Sequence, residues 1–516
     1  MVPDFKPEPL TDLTVESNRT AMRHAIDRVR TRLGARHDLR IGGEAVATPD
    51  RILSINPCEP SQVVGEVAKG REAHAERALL AALEAFRSWS RTAPEDRARI
   101  ILRGAAMLRR RKLELAAVEV FEVSKSWAEA DADVAEAIDF LEFYGREMLR
   151  YADRQPLTRI PGEDNELYYI PLGVCAVIPP WNFPLAILAG MTSAAIVAGN
   201  TVVLKPASTS PVIGALFCEA MEDAGLPAGV LNFCPGGGVE VGEFLVKHPQ
   251  TRLIAFTGSK EVGLRIHELA ARHAPGQRWI KRTILEMGGK DAIVVDAGVN
   301  VEEAADGVVA SAFGFQGQKC SACSRLIAHE DIYRPLLDAI VARTDALQQG
   351  PVVMPQNTVG AVIDASAFKK ILEYVEIGKT EGRLVAGGGR LEGADGYFVR
   401  PTVVADVDPR ARLSQEEIFG PVLACTKART FEEAVDIAND TEFGLTGAAY
   451  SRSRARLEHA RRELHVGNLY LNRKCTGALV GVHPFGGFNL SGTDSKAGGR
   501  DYLALFTQAK VVSERL

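Results

Sequence analysis

The 516-residue sequence predicts an α/β protein with two α/β domains, and three observations indicate this fold class. A chain of this length exceeds what one hydrophobic core normally serves. From residue 171 onward, short apolar runs alternate with longer amphipathic segments, which is typical of a parallel sheet covered by helices on both faces. A second alternation of the same kind begins near residue 292 and continues to about residue 472.

The helices and strands are predicted from the spacing of apolar residues along the sequence. Residues from about 68 to 152 have helical spacing. The segments after them predict strands at 174–178, 201–204, 230–233 and 253–256, and helices at 185–198, 211–224, 239–247 and 260–272. After Asp501 we expect a short helix and then a strand at 509–512, which has no local partner and is expected to pair elsewhere, such as across a subunit interface.

Composition limits the possible partners. Lys and Arg total 61 and Asp and Glu total 66, and this near balance argues against nucleic acid or a membrane as the main partner. The basic run Arg109–Lys112 is interpreted as a solvated face of one long helical stretch. Residues 167–204 carry no charge, but prolines at 171, 179, 180 and 184 favour buried strands and a helix over a membrane span. Eight scattered cysteines and an N-terminus without an apolar core indicate a cytoplasmic protein.

Cys320 lies in a loop of glycines and polar residues, Gly314 to Cys323. A nucleophilic cysteine needs its thiolate, which Lys319 and the loop amides are expected to stabilise. Two alternatives stay open from the residues alone: a buried structural cysteine, and a redox or metal pair with Cys323. A second Cys-x-x-Cys is absent from the sequence, which disfavours a four-cysteine zinc site.

Three further segments bear polar groups where strands end. Glu286 ends a short apolar run, where partial desolvation would suit a general base, although an ordinary strand-end glutamate is the alternative. Asn182, in the loop after a strand, has an amide that can donate to an oxyanion or only to local backbone. Thr257-Gly258-Ser259 leads from a strand into a helix, where a phosphate or a simple N-cap fits. The standard dinucleotide glycine fingerprint is absent, and Gly236–Gly238 with Gly242 are a weaker signal.

Together these segments resemble the aldehyde dehydrogenase superfamily over nearly the whole chain. The motifs that carry the resemblance are Pro180-Trp181-Asn182, Lys205-Pro206, Phe256–Ser259, Leu285–Lys290, Gly317–Cys320, Glu417–Pro421 and Pro484–Gly487. The resemblance implies a Rossmann-type dinucleotide domain (1–150 and 171–285), an α/β catalytic domain (286–485) and a small oligomerisation element (151–170 and 486–516). It also implies a homo-oligomer, either a dimer or a dimer-based assembly.

The resemblance implies the site residues as well. Cys320 would attack an aldehyde, Asn182 and the Cys320 N–H would hold the oxyanion, and Glu286 would activate water. NAD would be the cofactor, held by Ile178, Pro179, Pro180, Trp181, Lys205, Ser208, Gly238, Gly242, Thr257, Gly258, Ser259, Met287, Glu417 and Phe419. Ser208 stands where many relatives have an acidic residue, and its neutrality predicts that NADP is also usable.

Within the superfamily, Phe315–Ala322 and Asn472–Gly481 resemble the branch that oxidises glutamate γ-semialdehyde. This implies that Ser321, Gly477 and Ala478 bind the substrate carboxylate. Phe183 and Phe485 would flank its aliphatic chain. Glu136 would meet its ammonium group, although a surface glutamate explains that residue as well. The alternatives are another semialdehyde, a CoA-acylating enzyme, or a non-catalytic structural protein on the same fold.

Overall fold

A computed structural model describes residues 3–516. The helices are α1 Glu16–Arg30, α2 Glu72–Trp89, α3 Pro94–Arg110, α4 Lys112–Glu122, α5 Trp127–Ala152, α6 Ala186–Val197, α7 Pro211–Asp223, α8 Phe244–Lys247, α9 Lys260–Ala271, α10 Val301–Phe313, α11 Glu330–Asp345, α12 Ala365–Glu381, α13 Arg412–Gln415, α14 Phe431–Asn439 and α15 Arg454–Glu463. A π-helical turn spans Gly238–Glu243, and 3-10 turns span Gly314–Gly317 and Tyr502–Phe506.

The strands form two seven-stranded sheets and three smaller ones. They are β1 Ala35–His37, β2 Leu39–Ile41, β3 Glu44–Val46, β4 Arg51–Asn56, β5 Glu59–Ala68, β6 Glu163–Pro171, β7 Val174–Ile178, β8 Thr201–Leu204, β9 Leu231–Phe233, β10 Thr251–Thr257, β11 Arg282–Glu286, β12 Asp291–Val295, β13 Cys323–His329, β14 Arg383–Ala386, β15 Thr402–Ala405, β16 Val422–Ala428, β17 Phe443–Gly444, β18 Thr446–Tyr450, β19 Asn468–Leu471, β20 Phe488–Asn489 and β21 Thr507–Arg515.

The first large sheet has the order β11-β10-β7-β8-β9-β2-β3, and its first five strands are parallel. The central strand β7 and the helix α6 are buried along their length, which explains the uncharged stretch 167–204. Within residues 3–516, no helix combines the length and apolarity that crossing a bilayer requires. The antiparallel strands β2 and β3 extend the sheet at one edge, and periodicity missed them because each has three residues.

The second large sheet has the order β14-β15-β16-β13-β12-β18-β19. It is parallel apart from the edge strand β14, and its central strands are almost fully buried. The chain passes from the first sheet to the second between Glu286 and Asp291, so β11 and β12 connect the two units directly.

The interpretation of Arg109–Lys112 as a solvated helical face is confirmed for Arg109 and Arg110, which are exposed, and is wrong for Lys112. The run crosses the junction of α3 and α4, which meet at Arg111. Lys112 is nearly buried and its ammonium lies 3.0 Å from the Asp131 carboxylate, while Arg109 pairs with Glu142 at 2.9 Å. These ion pairs tie α3 and α4 to α5.

The expectation that the C-terminal strand has no local partner and pairs elsewhere is confirmed, and the partner lies in the same chain rather than in another subunit. β21 pairs antiparallel with β6 over nine residues, from Thr507 opposite Pro171 to Arg515 opposite Glu163. The partner lies more than 300 residues away in sequence, so no local pattern indicated it. The predicted short helix before this strand is the 3-10 turn Tyr502–Phe506.

Candidate active site

Four predicted segments lie along the carboxyl edge of the first sheet. Asn182 follows β7, Lys205 follows β8, Ser259 follows β10 and Glu286 ends β11. These four strands are neighbours and run parallel, so their ends meet at one edge, where open α/β sheets bind ligands. Cys320 comes shortly before β13, at the amino edge of the second sheet. The candidate site therefore lies between the two sheets.

The Asn182 side chain joins the two halves of this site. It is buried, and its amide nitrogen Nδ2 donates to the backbone carbonyl of Gln318 at 3.0 Å. Gln318 belongs to the loop that ends at Cys320, and this loop contains two residues in the left-handed region, Phe315 and Gln316. A bulky residue with positive φ is held there only by its surroundings. Tertiary contacts therefore fix the conformation of the Cys320 loop, and the Asn182 amide is a hydrogen-bond donor beside it.

Cys320 is partly buried, and its electrostatic surroundings differ from the expected ones. Burial raises the pKa of its thiol, and the carboxylates of Asp291, Glu286 and Glu417 raise it further. Lys319 does not counter this, because its ammonium binds both carboxylate oxygens of Glu129 at 2.7 Å. The expectation that Lys319 stabilises the thiolate is therefore wrong.

Glu286 has the surroundings of a general base. Its Oε1 atom accepts a hydrogen bond from the Ser495 hydroxyl at 2.5 Å, while its Oε2 atom is buried and has no hydrogen-bond partner among residues 3–516. Burial raises the pKa of Glu286 to about 7, and the hydrogen bonds from Ser495 offset part of this effect. One oxygen is thus free to take a proton, at a pKa suited to neutral pH.

Of the residues predicted for the adenosine end of a dinucleotide, Lys205 and Gly242 are neighbours in the structure. Lys205 is buried, burial lowers the pKa of its ammonium to about 8, and its Nζ donates to the Pro206 carbonyl at 3.2 Å. Gly242, in the π-helical turn that begins at Gly238, lies beside Lys205, whose side-chain carbons are 3.5 Å from the position that a Cβ at Gly242 would take. Ser208 is exposed at the same strand end.

The rest of this edge is formed by strand ends and their loops. Ile178 ends β7 and precedes the buried Pro179 and Pro180, and Thr257 ends β10. The Gly258 N–H donates to the Glu286 carbonyl at 3.0 Å. Ser259 caps α9 by accepting from the Val262 N–H at 3.4 Å, so the N-cap alternative is present in the structure.

At the predicted nicotinamide end, Glu417 and Phe419 come from a loop of the second unit. The Glu417 Oε1 atom accepts from the Gly289 N–H at 3.1 Å, and the Glu417 carboxylate occupies the space where a side chain at Gly288 would start. The Phe419 ring packs edge-on against Trp181, with centroids 5.6 Å apart. The Met287 N–H is bound by the Ser491 carbonyl. The cofactor residues predicted from the two units therefore meet here.

The predicted substrate residues surround the same loop. Ser321 is buried next to Cys320, and its carbonyl accepts a hydrogen bond from the Cys475 thiol at 3.4 Å. Cys475 stands two residues before Gly477, so this bond connects the two predicted substrate segments. Gly477 has φ +80°, a left-handed conformation that suits glycine. Ala478 is half-buried beside it.

The three remaining predicted residues are half-buried. Phe485 pairs through its backbone with Ala497, and Phe183 lies in the loop after Asn182. Glu136 lies on α5, where burial and the charge of Asp133 raise its pKa to about 8. Glu136 is therefore not a surface glutamate.

Sequence reasoning missed three residues that shape the site. Ser495 binds the Glu286 carboxylate and Glu129 holds Lys319, each from far along the chain. The Arg473 guanidinium donates to the carbonyls of Thr476 and Gly477 at 3.0 and 3.3 Å, which fastens the loop before Ala478. The motif Asn472–Gly481, which contains Arg473, was the only signal in the sequence that pointed to one of them.

The chain is similar to several known proteins. The model of the Aldehyde dehydrogenase family matches residues 45–512. The 1-pyrroline-5-carboxylate dehydrogenase of Geobacillus kaustophilus is 60% identical over 516 residues, which is all of both chains. A crystal structure of 1-pyrroline-5-carboxylate dehydrogenase from Thermus with bound NAD has a TM-score of 0.98 at 54% identity and covers both chains completely. Proline utilization A from Bdellovibrio bacteriovorus, also with a TM-score of 0.98, is 43% identical over 99% of this chain and 53% of that chain.

Proposed function

Because this chain belongs to the aldehyde dehydrogenase family, we propose that it oxidises L-glutamate 5-semialdehyde to L-glutamate with NAD. This aldehyde is in equilibrium with 1-pyrroline-5-carboxylate, and its oxidation is the second step of proline degradation. One observation carries the proposal. The Asn182 amide donates a hydrogen bond to the loop that carries Cys320. Glu286, at the end of β11, has a buried carboxylate oxygen without a hydrogen-bond partner in the described chain.

Cys320, Asn182 and Glu286 have separate roles in the proposed reaction. The Cys320 thiol loses its proton to solvent water, and its sulfur attacks the aldehyde carbon. The Asn182 amide and the Cys320 N–H stabilise the oxyanion of the resulting thiohemiacetal. NAD⁺, when bound, supplies the hydride acceptor that converts this adduct to a thioester. Glu286 then takes a proton from the water that attacks the thioester carbon, which releases the carboxylic acid and returns Cys320 to its thiol form.

The residues present fit a dinucleotide. Lys205 has a buried ammonium with a single hydrogen-bond acceptor, the Pro206 carbonyl, so it has donors left for ribose hydroxyls. Glu417 has a carboxylate at the opposite end of the site, and Trp181 with Phe419 forms an aromatic wall there. These residues would hold the two ends of NAD, consistent with the division into residues 1–150 and 171–285 and a catalytic unit of residues 286–485.

Substrate choice is tested by steady-state kinetics on glutamate semialdehyde and succinate semialdehyde. We expect kcat/KM, measured above the Glu136 pKa of about 8 where this carboxylate is charged, to favour the amino-bearing substrate by at least about tenfold. The reason is that Glu136 and the Ser321–Ala478 region pair with the ammonium and carboxylate groups of that substrate. Glu136→Gln is expected to lose most of this preference. A higher kcat/KM with succinate semialdehyde would show that the proposed substrate is wrong.

The cofactor proposal predicts measurable turnover with NADP. Ser208 is exposed and neutral, so a 2′-phosphate meets no carboxylate at that residue. Ser208→Glu is expected to raise the KM for NADP about tenfold through charge repulsion and to change the KM for NAD much less. Ser208→Ala is the matched neutral control. Complete failure of the wild-type protein with NADP would contradict the role given to Ser208.

We further propose that the protein is a homo-oligomer, assembled through residues 151–170 and 486–516. The β6–β21 pair exposes apolar side chains along β21, with Val511 60% and Val512 39% accessible. Replacing both valines by lysine is expected to lower the molar mass in solution, measured by light scattering coupled to gel filtration. Leu10→Lys, at another exposed apolar residue, is the control. An unchanged mass in the double variant would argue against this interface.

A further inference from the structure

A buried charge cluster lies behind the active site, in the turn between α4 and α5. The side chains of Lys125, Glu119 and Asp133 are each 0% exposed. The Lys125 ammonium lies 3.2 Å from the Glu119 carboxylate and 3.1 Å from that of Asp133, and these two charges raise the pKa of Lys125 against the opposing effect of burial. Lys125 is therefore a side chain without solvent access that lies between two carboxyl groups.

Two aromatic rings from separate parts of the site complete the surroundings of this ammonium. Its Nζ lies 4.6 Å from the ring centroid of Phe183 and 5.2 Å from that of Phe315. Phe183 directly follows Asn182 in the loop after β7, whereas Phe315 belongs to the loop that leads to Cys320. A desolvated ammonium attracts the faces of such rings. Lys125 thus contacts both loops that the chemistry needs.

The neighbours of Lys125 strengthen the same connection. Asp133 accepts from the N–H groups of Leu185 and Ala186 at 3.3 Å, which holds the end of the Asn182 loop at the start of α6. On the other side, the Gln316 amide donates to the Ser124 carbonyl at 3.0 Å. The turn that carries Lys125 is therefore attached to the Asn182 loop through one contact set and to the Cys320 loop through another.

We propose that Lys125 is a positioning residue that sets the distance between the Asn182 amide and the Cys320 loop. The inference rests on the proposed aldehyde oxidation, because an oxyanion is stabilised only when its donors lie at hydrogen-bond distance from the position that it will occupy. Without the ammonium, the two rings lose their common partner and the two loops lose a shared attachment. Asn182 then holds the oxyanion less well, while the Cys320 thiol stays in place.

The test compares Lys125→Met with the wild-type chain, alone and combined with Asn182→Ala. Lys125→Met keeps the length of the side chain and removes its charge. We expect Lys125→Met to lower kcat/KM by at least about tenfold in the otherwise wild-type protein and by less than about threefold in the Asn182→Ala background. The second effect is smaller because a residue that acts through the Asn182 amide cannot lower the rate further once that amide is absent. Kd for NAD and the rate of Cys320 alkylation by iodoacetamide are expected to stay within about twofold.

Three outcomes would overturn the proposal: wild-type kcat/KM in Lys125→Met, losses that multiply in the double variant, or a matching fall in the alkylation rate. If Lys125→Met does not fold, Phe315→Leu removes one of the two rings, and its loss must likewise vanish in the Asn182→Ala background. The wild-type protein and every variant are assayed with glutamate semialdehyde and, separately, with propanal. Failure with glutamate semialdehyde alone would count against the proposed substrate, while the propanal cycle still decides the role of Lys125.

Discussion

Cys320→Ala is expected to lower kcat for aldehyde oxidation by at least about 1,000-fold, because no covalent adduct forms without the sulfur. The loop is held by contacts that do not involve the thiol, including the bond from Asn182 to the Gln318 carbonyl. The variant should therefore fold normally and bind NAD with an unchanged Kd. Steady-state kinetics measures kcat, and isothermal titration calorimetry measures the Kd for NAD.

Cys218→Ala provides the matched control for this prediction. Cys218 is a buried cysteine on α7 that contributes nothing to the site, so its variant should keep wild-type turnover. Near-wild-type kcat in Cys320→Ala would refute the mechanism. Loss of NAD binding in the same variant would indicate a collapsed loop.

Glu286→Gln is expected to lower steady-state kcat by about 100-fold or more, with a rapid first turnover that precedes it. The reason is that Cys320 still forms the thioester, but the water that must hydrolyse it no longer has a base. Stopped-flow absorbance of NADH should show a burst of about one equivalent for each active site, followed by a slow phase. Absence of a burst, with both phases slowed equally, would assign Glu286 to an earlier step.

The pH dependence gives an independent check on Glu286. The carboxylate is the active form and its pKa is raised to about 7, so kcat of the wild-type protein should rise as the pH increases through 7. Glu286→Gln should abolish this rise. Ser495→Ala removes the hydrogen bond that lowers the pKa of Glu286, and it should shift the midpoint of the profile to higher pH. A profile that is unaffected by both substitutions would exclude Glu286 as the titrating group.

The alternation of strands and helices was predictable from the sequence, because the apolar period of each segment is a local property. The strands β7, β8, β9 and β10 and the helices between them lie within a few residues of their predicted positions. The short strands β2 and β3 carry too few residues for a period, so they could not be found in this way. The identities of Cys320, Glu286 and Asn182 as candidates likewise came from residue type, loop position and resemblance.

Only the tertiary structure decided how these candidates are placed and charged. The strand pairing of β21 with β6, the bond from Ser495 to Glu286 and the capture of Lys319 by Glu129 each join residues about 190 or more positions apart. The pKa of the Cys320 thiol is another example, because it is raised by burial and by carboxylates from three other segments of the chain. Local patterns report which face of an element is buried. The energy of a buried charge depends on neighbours that only the folded chain brings together.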